Sequence, residues 1–183
     1  METWMIIIGI VIVVVFTPVI WWISTSNGFK RKSIKISEAH SGIEVALTKR
    51  YDLLTKLLDV AKGYATHENE LFSKVVELRR GMSIRELNEK SAQMDELNAR
   101  ILAIAESYPQ LRSAEVFTQL QAGIRDAEEH LQAARRLYNS NVTAFNTAVD
   151  VFPSSIVAKS QKLVKQEFFV AESTKWEEVE MNF

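Results

Sequence analysis

Hydrophobic positions between Phe117 and Phe152 recur at every third and fourth residue, which is the spacing of one face of a long helix. The bulky positions of this stripe are Phe117, Ile124, Leu131, Tyr138, Phe145 and Phe152, and the positions between them, after Leu120, are Ala127, Ala134, Asn141 and Ala148. A helix of this kind cannot bury its stripe alone. The pattern therefore predicts a bundle with at least two more long helices.

Two earlier stretches have the same helical spacing. The first predicted helix covers about residues 34–62, where Gly63 ends it. A second begins near Thr66 and continues to about Ser107, with an interruption at Gly81-Met82-Ser83. The four residues from Ser83 to Glu86 have the form of a capping box, so a new helix or a kink begins there.

Turn residues mark the ends of the later elements. Tyr108-Pro109 stops the second helix, and Ser113 is the predicted N-cap of the third. Pro153 ends the third helix, and residues 154–166 are predicted to form a short amphipathic fourth helix. The remaining residues mix aromatic and acidic side chains without a clear period, which predicts an extended tail.

The stretch from Trp4 to Ile23 contains no charged residue, and about 20 residues of helix match the hydrocarbon thickness of a bilayer. Trp4, Trp21 and Trp22 lie where interfacial aromatic residues are found. A buried core helix would carry a polar face over this length. A cleaved signal peptide would begin with basic residues, which Met1-Glu2-Thr3 lacks. The stretch therefore predicts a retained membrane span.

The residues on either side of this span predict its orientation. Three residues without Lys or Arg precede it, and Lys30, Arg31, Lys32 and Lys35 follow it. Basic flanks remain in the cytoplasm, so we expect the N-terminus outside and the C-terminal domain in the cytoplasm. The same cluster suits anionic headgroups, and the sequence leaves both interpretations open.

The predicted fold class is therefore all-α: an N-terminal transmembrane helix followed by an elongated antiparallel up-and-down bundle of three long helices plus a short fourth helix. The predicted divisions are a transmembrane anchor at 1–24, a basic juxtamembrane linker at 25–35, a cytoplasmic helical bundle at 36–166 and an aromatic and acidic tail at 167–183. Asn27-Gly28 is expected to act as a flexible joint within the linker.

Composition excludes several kinds of chemistry. A formal net charge of −1 gives no support for nucleic-acid binding, and the absence of Cys excludes thiol, disulfide and zinc-thiolate sites. None of His40, His67 and His130 stands in a metal-binding motif. We therefore expect no metal, no cofactor and no enzymatic activity.

Several blocks of residues resemble the LemA family in their order along the chain. They are Arg50-Tyr51-Asp52-Leu53-Leu54, Lys62-Gly63-Tyr64-Ala65, His67-Glu68, Ala105-Glu106-Ser107-Tyr108-Pro109-Gln110-Leu111, Arg135-Arg136, Tyr138-Asn139, Asn146, Phe152-Pro153 and Phe168-Phe169. The chain departs from the family at Thr55-Lys56, where relatives often have Pro-Asn, and at His40, where they often have Trp.

The resemblance implies a bacterial, single-pass protein of the inner (cytoplasmic) membrane with a cytoplasmic helical bundle. The heptad spacing of residues 117–152 predicts its coiled-coil character. It implies no catalytic residue. Relatives are associated with a membrane zinc protease, so the resemblance makes such a protease a candidate partner.

Counting residues along antiparallel helices brings Arg50, Asp52, Glu77 and Asn141 to one height. Asn141 replaces an Ala of the repeat, and a buried amide needs a polar partner. The resulting polar layer would fix helix register or form a binding pocket, and the sequence does not decide between them.

Two further places are candidates for interaction. Tyr64 and His67 lie at the first helix junction, where capping contacts are the alternative. Phe168 and Phe169 make the tail too apolar for a disordered linker, so we expect it to pack or bind.

The predicted function is a non-enzymatic, membrane-anchored scaffold or adaptor. The alternative is an accessory or substrate-presenting factor for a membrane-bound protease. The expected partners are the membrane, other membrane proteins and a second copy of the chain, without nucleic acid.

Overall fold

The computed structural model describes residues 2–64 and 81–169, and the described residues form helices and no strand. The helices in chain order are α1 (Glu2–Tyr64), α2 (Ile84–Ser107), α3 (Pro109–Ser113), α4 (Glu115–Asp150) and α5 (Ser154–Ser160). The all-α class and the long apolar N-terminal helix are thus confirmed.

Helix α1 runs without a break through the predicted joint at Asn27-Gly28. The expectation of a flexible joint there is wrong, as is a separate start near Ile34. A glycine inside a helix costs only about 1 kcal/mol relative to alanine, and packing can offset that cost. Phe29 and Ile36, which follow the glycine on the same helix, are both buried.

The capping box at the start of α2 is confirmed. Glu86 N–H donates to Ser83 Oγ, and Ser83 N–H donates to Glu86 Oε2. The side chain of each residue therefore accepts a hydrogen bond from the backbone N–H of the other, and two N–H groups at the helix start are satisfied. Helix α2 ends at Ser107, immediately before Tyr108-Pro109, as predicted.

The predicted N-cap at Ser113 is wrong. Ser113 is the last residue of α3, and its hydroxyl donates to the Gln110 carbonyl. The Ala114 carbonyl instead accepts the first α4 bond, from Thr118 N–H. Pro109 starts the extra short helix because proline is favoured in a first helical turn.

Helix α4 ends at Asp150, and a turn with a cis Phe152–Pro153 bond leads to α5. Helix α5 ends at Ser160, six residues before the predicted limit of 166, and Lys162 has a φ of 51°. An extended segment follows as far as Phe169, the last described residue.

The described residues form two compact units. Unit 1 contains those of Met1–Glu38 and Ser140–Glu167, and unit 2 contains those of Ala39–Asn139 and Phe168–Phe183. The core of unit 1 comprises Phe29, Ile36, Val142, Phe145, Val157 and Ala158. The larger core of unit 2 includes Ile43, Leu47, Leu54, Leu57, Leu87, Met94, Ile101, Ile124, Leu131 and Tyr138.

Within unit 2, α2 runs parallel to α1. Glu44 accepts a bond from Gly81 N–H, just before α2, and Arg50 contacts Asp95 farther along both helices. Helix α4 runs antiparallel to α1. Arg50 contacts Glu128, and Leu53, farther along α1, lies against Gly123, which comes earlier in α4. The sequence predicts that the second helix runs antiparallel to the first, and the parallel direction of α2 does not confirm this. Helix α2 begins at the capping box, level with Glu44 of α1.

Among the described residues, α1 is the one helix long and apolar enough to cross a membrane. Its described side chains from Trp4 to Ile20 are exposed in the structure.

Candidate interaction site

Arg50 is a charged side chain in the core of unit 2. It lies between Leu47 and Leu54 on the buried face of α1, and its side chain is only 4% exposed. Its Nη2 donates to Asp95 of α2, and its Nη1 lies 2.9 Å from Glu128 Oε2 of α4. One guanidinium group therefore connects three helices.

A second arginine lies in the same region. Arg135 Nη2 donates to the hydroxyl of Ser91, a buried residue of α2. Burial lowers the pKa of Arg135 below its ordinary value, and the carboxylates of Glu128 and Asp95 act in the opposite direction. Two cations and two anions thus interact within one cluster, which we name the ionic cluster: Arg50, Asp95, Glu128 and Arg135.

The C-terminal segment contacts this cluster through Phe169. The phenyl ring lies 4.6 Å from the guanidinium carbon of Arg135, which is a cation–π distance. Asn139, one helical turn after Arg135, donates to the Phe169 carbonyl at 2.9 Å and accepts from its N–H at 2.8 Å. The Asn139 amide therefore binds the backbone while Arg135 binds the side chain.

A matching amide contact occurs in unit 1. Asn146 donates to the Gln166 carbonyl at 2.9 Å, and its Oδ1 accepts from Gln166 N–H at 2.8 Å. Each asparagine thus satisfies both backbone groups of one extended residue.

The ionic cluster has the chemistry of a structural connection. Its arginines face carboxylates, a hydroxyl and an aromatic ring. Four buried atoms of the cluster, Arg50 Nε and Nη1, Arg135 Nε and Glu128 Oε2, have no aligned hydrogen bond among the described residues. Removal of one partner of such a pair would leave the buried charge of Arg50 with less compensation, which is costly. Across residues 2–64 and 81–169, no three His, Cys, Asp or Glu side chains are grouped to hold a metal.

The structure gives the residues of the predicted polar layer other partners. Asn141 is half-buried and donates to the Lys35 carbonyl at 3.1 Å within unit 1. Arg50 contacts Asp95 and Glu128, and Asp52 is exposed. The predicted pairing was counted for an antiparallel second helix, whereas α2 is parallel. Glu77 lies outside the described residues.

The other predicted residues differ in their surroundings. Tyr64 ends α1 and is 43% exposed, while His67 lies outside the described residues. Phe168 is exposed and Phe169 is buried, so one of the two tail aromatics packs. The prediction for residues 170–183 also falls outside the described part of the chain.

Asp95 and Ser91 were missed by the sequence analysis. Ser91 could have been noticed, since it interrupts the apolar stripe of α2 between Leu87 and Met94, both buried. Arg50 likewise interrupts the stripe of α1. Asp95 gives no such signal, because it is one of many acids on an exposed helix face.

Comparison with known proteins agrees with the resemblance to the LemA family. The model of the LemA family matches residues 39–183. Protein LemA of Metamycoplasma hominis is 28% identical over 155 residues, which cover 82% of this chain and 71% of that protein. The magnetosome protein MamQ of Magnetospirillum gryphiswaldense is 26% identical over 70 residues, which cover 38% of this chain and 26% of that protein.

Proposed function

The chain belongs to the LemA family, and from this premise we propose that it is a membrane-anchored helical scaffold that holds partner proteins at the bilayer. It acts by binding and not by catalysis. The proposal is based on three parts of the chain: the apolar start of α1, the ionic cluster and the C-terminal segment.

The observation that carries the proposal is the distribution of buried residues along α1. Near its start the side chains are apolar and exposed, as in Val14 at 64% and Ile20 at 65%. Farther along the same helix, Ile43, Leu47 and Leu54 are fully buried in unit 2. One helix thus combines a segment suited to lipid with a segment suited to a protein core.

The ionic cluster supports a binding role over a catalytic one. Arg50 and Arg135 are held by Asp95, Glu128 and Ser91, so their charges face groups of the chain itself. A general acid or base would need access to a substrate. The cluster instead fixes α2 and α4 against α1, which is what a scaffold needs.

The same proposal assigns roles along the chain. Residues 1–24 anchor it in the inner membrane, 25–35 form the basic juxtamembrane segment, 36–166 form the bundle in the cytoplasm, and 167–183 form the tail. The N-terminus lies outside, because the basic flank follows the span. Partners are other membrane proteins or a second copy of the chain, without nucleic acid or cofactor.

Photo-crosslinking in native membranes, followed by mass spectrometry, tests the proposal. The bait is the full chain, and the matched control has residues 1–24 replaced by an unrelated single span. We expect both baits to capture the same protein, because the bundle selects the partner. Capture no greater than that by an unrelated single-span protein would contradict the scaffold role.

The finer alternative is an accessory or substrate-presenting factor for a membrane protease. It rests on the family resemblance, and no contact among the described residues favours it. The same crosslinking experiment separates the two functions: recovery of a membrane protease with both baits would favour the accessory role.

A further inference from the structure

The turn after α4 lies level with the end of the apolar span. In unit 1, Asn141 Nδ2 is 3.1 Å from the Lys35 carbonyl, and the rings of Phe145 and Phe29 are 5.9 Å apart. In unit 1, α4 is therefore antiparallel to α1, so residues of α4 that are closer to the turn lie closer to the span of α1. Five more residues reach the end of α4 at Asp150, level with about Ser24 of α1, and Phe152 follows in the turn near the level of Trp22.

Side-chain bonds hold the turn and α5 at this level. The Ser154 hydroxyl donates to the carbonyls of Ala148 and Val151, at 2.7 and 3.0 Å. Gln161 Nε2, just after α5, lies 2.6 Å from the Ser26 hydroxyl of α1, four residues beyond Trp22. The turn is therefore a fixed part of unit 1.

The turn and the first residues of α5 expose large apolar side chains near this height. Phe152 is 81% exposed, Val151 46% and Ile156 49%. Phe152 belongs to the sequence stripe that predicts burial, yet no described residue covers it. Aromatic side chains near the end of a membrane span are favoured at the boundary between headgroups and acyl chains.

The charge of unit 1 suits an anionic surface. The sequence of its two segments contains seven Lys or Arg and four Asp or Glu, although the whole chain has a net charge of −1. Asp150, beside the turn, is paired with Lys165 at 2.7 Å. Lys159 and Lys162 are exposed near the end of α5 and add to the four basic residues after the span.

We propose that Val151, Phe152 and Ile156 form a second membrane contact, which inserts into the headgroup region of an anionic bilayer beside the span. This inference rests on the proposed membrane anchoring of α1. The second contact is distinct from the anchoring, because a bundle tethered by the span alone needs no further contact with lipid. The occupant of the apolar patch is lipid, and a protein partner there is an outcome that the experiment can detect.

Spin labelling measures the depth of each position in the membrane. The chain has no Cys, so one introduced Cys gives one label. Three full-length variants are reconstituted in vesicles of phosphatidylcholine and phosphatidylglycerol: Val14→Cys in the span, Val151→Cys in the turn and Ala144→Cys as the matched control. Ala144 is exposed on α4, two helical turns before Val151, on the same helix face.

The accessibility of each label to oxygen, which partitions into lipid, is compared with its accessibility to a water-soluble nickel chelate. We expect an oxygen-to-nickel ratio roughly threefold higher at Val151 than at Ala144, as for a group inserted about 5–10 Å into the boundary between headgroups and acyl chains. Equal ratios at these positions, with Val14 deep in the bilayer, would overturn the inference and leave the anchor intact. A Val14 label in water would overturn the anchor and the inference together.

Phe152→Ser in the Val151→Cys chain tests the aromatic residue itself. We expect the ratio at Val151 to fall toward that at Ala144, because the exposed Phe152 supports little of the fold. Val164→Ser is the matched control, since Val164 is 72% exposed in the extended segment and should leave the ratio unchanged. An unchanged ratio in Phe152→Ser, or a Val151 label shielded from both reagents by protein, would overturn the assignment to lipid.

Discussion

Asn139 binds the backbone of Phe169 through both groups of its side-chain amide, at 2.8 and 2.9 Å. This contact fixes the position of the Phe169 ring over Arg135, whose guanidinium also reaches Ser91 of α2. A residue of the C-terminal segment is therefore part of the packing around the ionic cluster.

Phe169→Ala should lower the free energy of unfolding by about 3–5 kcal/mol, because it removes a buried ring and its contact with Arg135. Urea unfolding in detergent micelles, followed by circular dichroism, measures the loss. The matched control is Phe168→Ala, which truncates a 43% exposed ring and should cost about 1 kcal/mol or less. Deletion of residues 167–183 should cost at least as much as Phe169→Ala. Equal stability of the two single variants would contradict the role of Phe169.

Glu128→Gln should reduce the free energy of unfolding by about 1–3 kcal/mol, because the buried Arg50 then loses one of its two counter-charges. The change preserves side-chain size. Glu129→Gln, on the next and exposed position of α4, should stay within about 0.5 kcal/mol of the parent chain. The same urea titration compares them, and indistinguishable midpoints would show that the ion pair does not stabilise the fold.

Gly81→Ala and Gly42→Ala should change stability in opposite directions. An added methyl meets no atom within 4 Å at either position, but Gly81 has a φ of +76° and Gly42 is helical. Ala at Gly81 should cost more than about 1 kcal/mol through backbone strain, while Ala at Gly42 should gain about 0.5–1 kcal/mol. Thermal unfolding of both variants measures the difference, and a stabilised Gly81→Ala would contradict the assigned turn.

The pKa of Asp126 should depend on Lys49. The hydrogen bond from Lys49, and then its charge, hold the pKa of Asp126 below its ordinary value of 3.8. A depressed folded pKa means that the stabilising contribution is present above the ordinary value and is lost as pH falls through the folded pKa. We expect Lys49→Met to raise the pKa toward 3.8 and Lys56→Met, on the same helix, to leave it unchanged. A carboxyl-resolved NMR titration checks both, and no shift in Lys49→Met would remove the assigned cause.

Labelling of intact cells should distinguish the two orientations of the anchor. A membrane-impermeant thiol reagent should modify Thr3→Cys from outside and should reach Asp150→Cys only after permeabilisation. This result follows from the basic residues after the span. The native chain provides the blank because it lacks Cys. Modification of Asp150→Cys in intact cells would reverse the proposed orientation.

Local signals in the sequence predicted the start and the end of α2. Ser83 and Glu86 are three residues apart, so their reciprocal capping depends on one helical turn and on nothing distant. The stop at Tyr108-Pro109 is equally local. The stripe of α4 also identified most of its buried face, since Phe117, Ile124, Leu131 and Tyr138 are all buried.

The partners of the polar residues could not be predicted in the same way. Arg50 meets Asp95 and Glu128, which are 45 and 78 positions away, so pairing depends on helix direction and register. Counting from the loops assumed that each long helix reverses the previous one. Because α2 is parallel to α1, that count placed Arg50 beside the wrong residues. The prediction of a flexible joint at Gly28 was wrong for a related reason. The packing of the neighbouring Phe29 determines the backbone conformation there, and the low helix preference of glycine does not.

The asparagine contacts of the extended segment also affect which sequence changes this chain can tolerate. Asn146 recognises only the N–H and carbonyl of Gln166, groups that every amino acid except proline supplies. Residue 166 can therefore change identity without loss of either bond, whereas Gln166→Pro would remove one. Selection at this site would act on Asn146, so the residue that is bound would vary while the residue that binds it would persist.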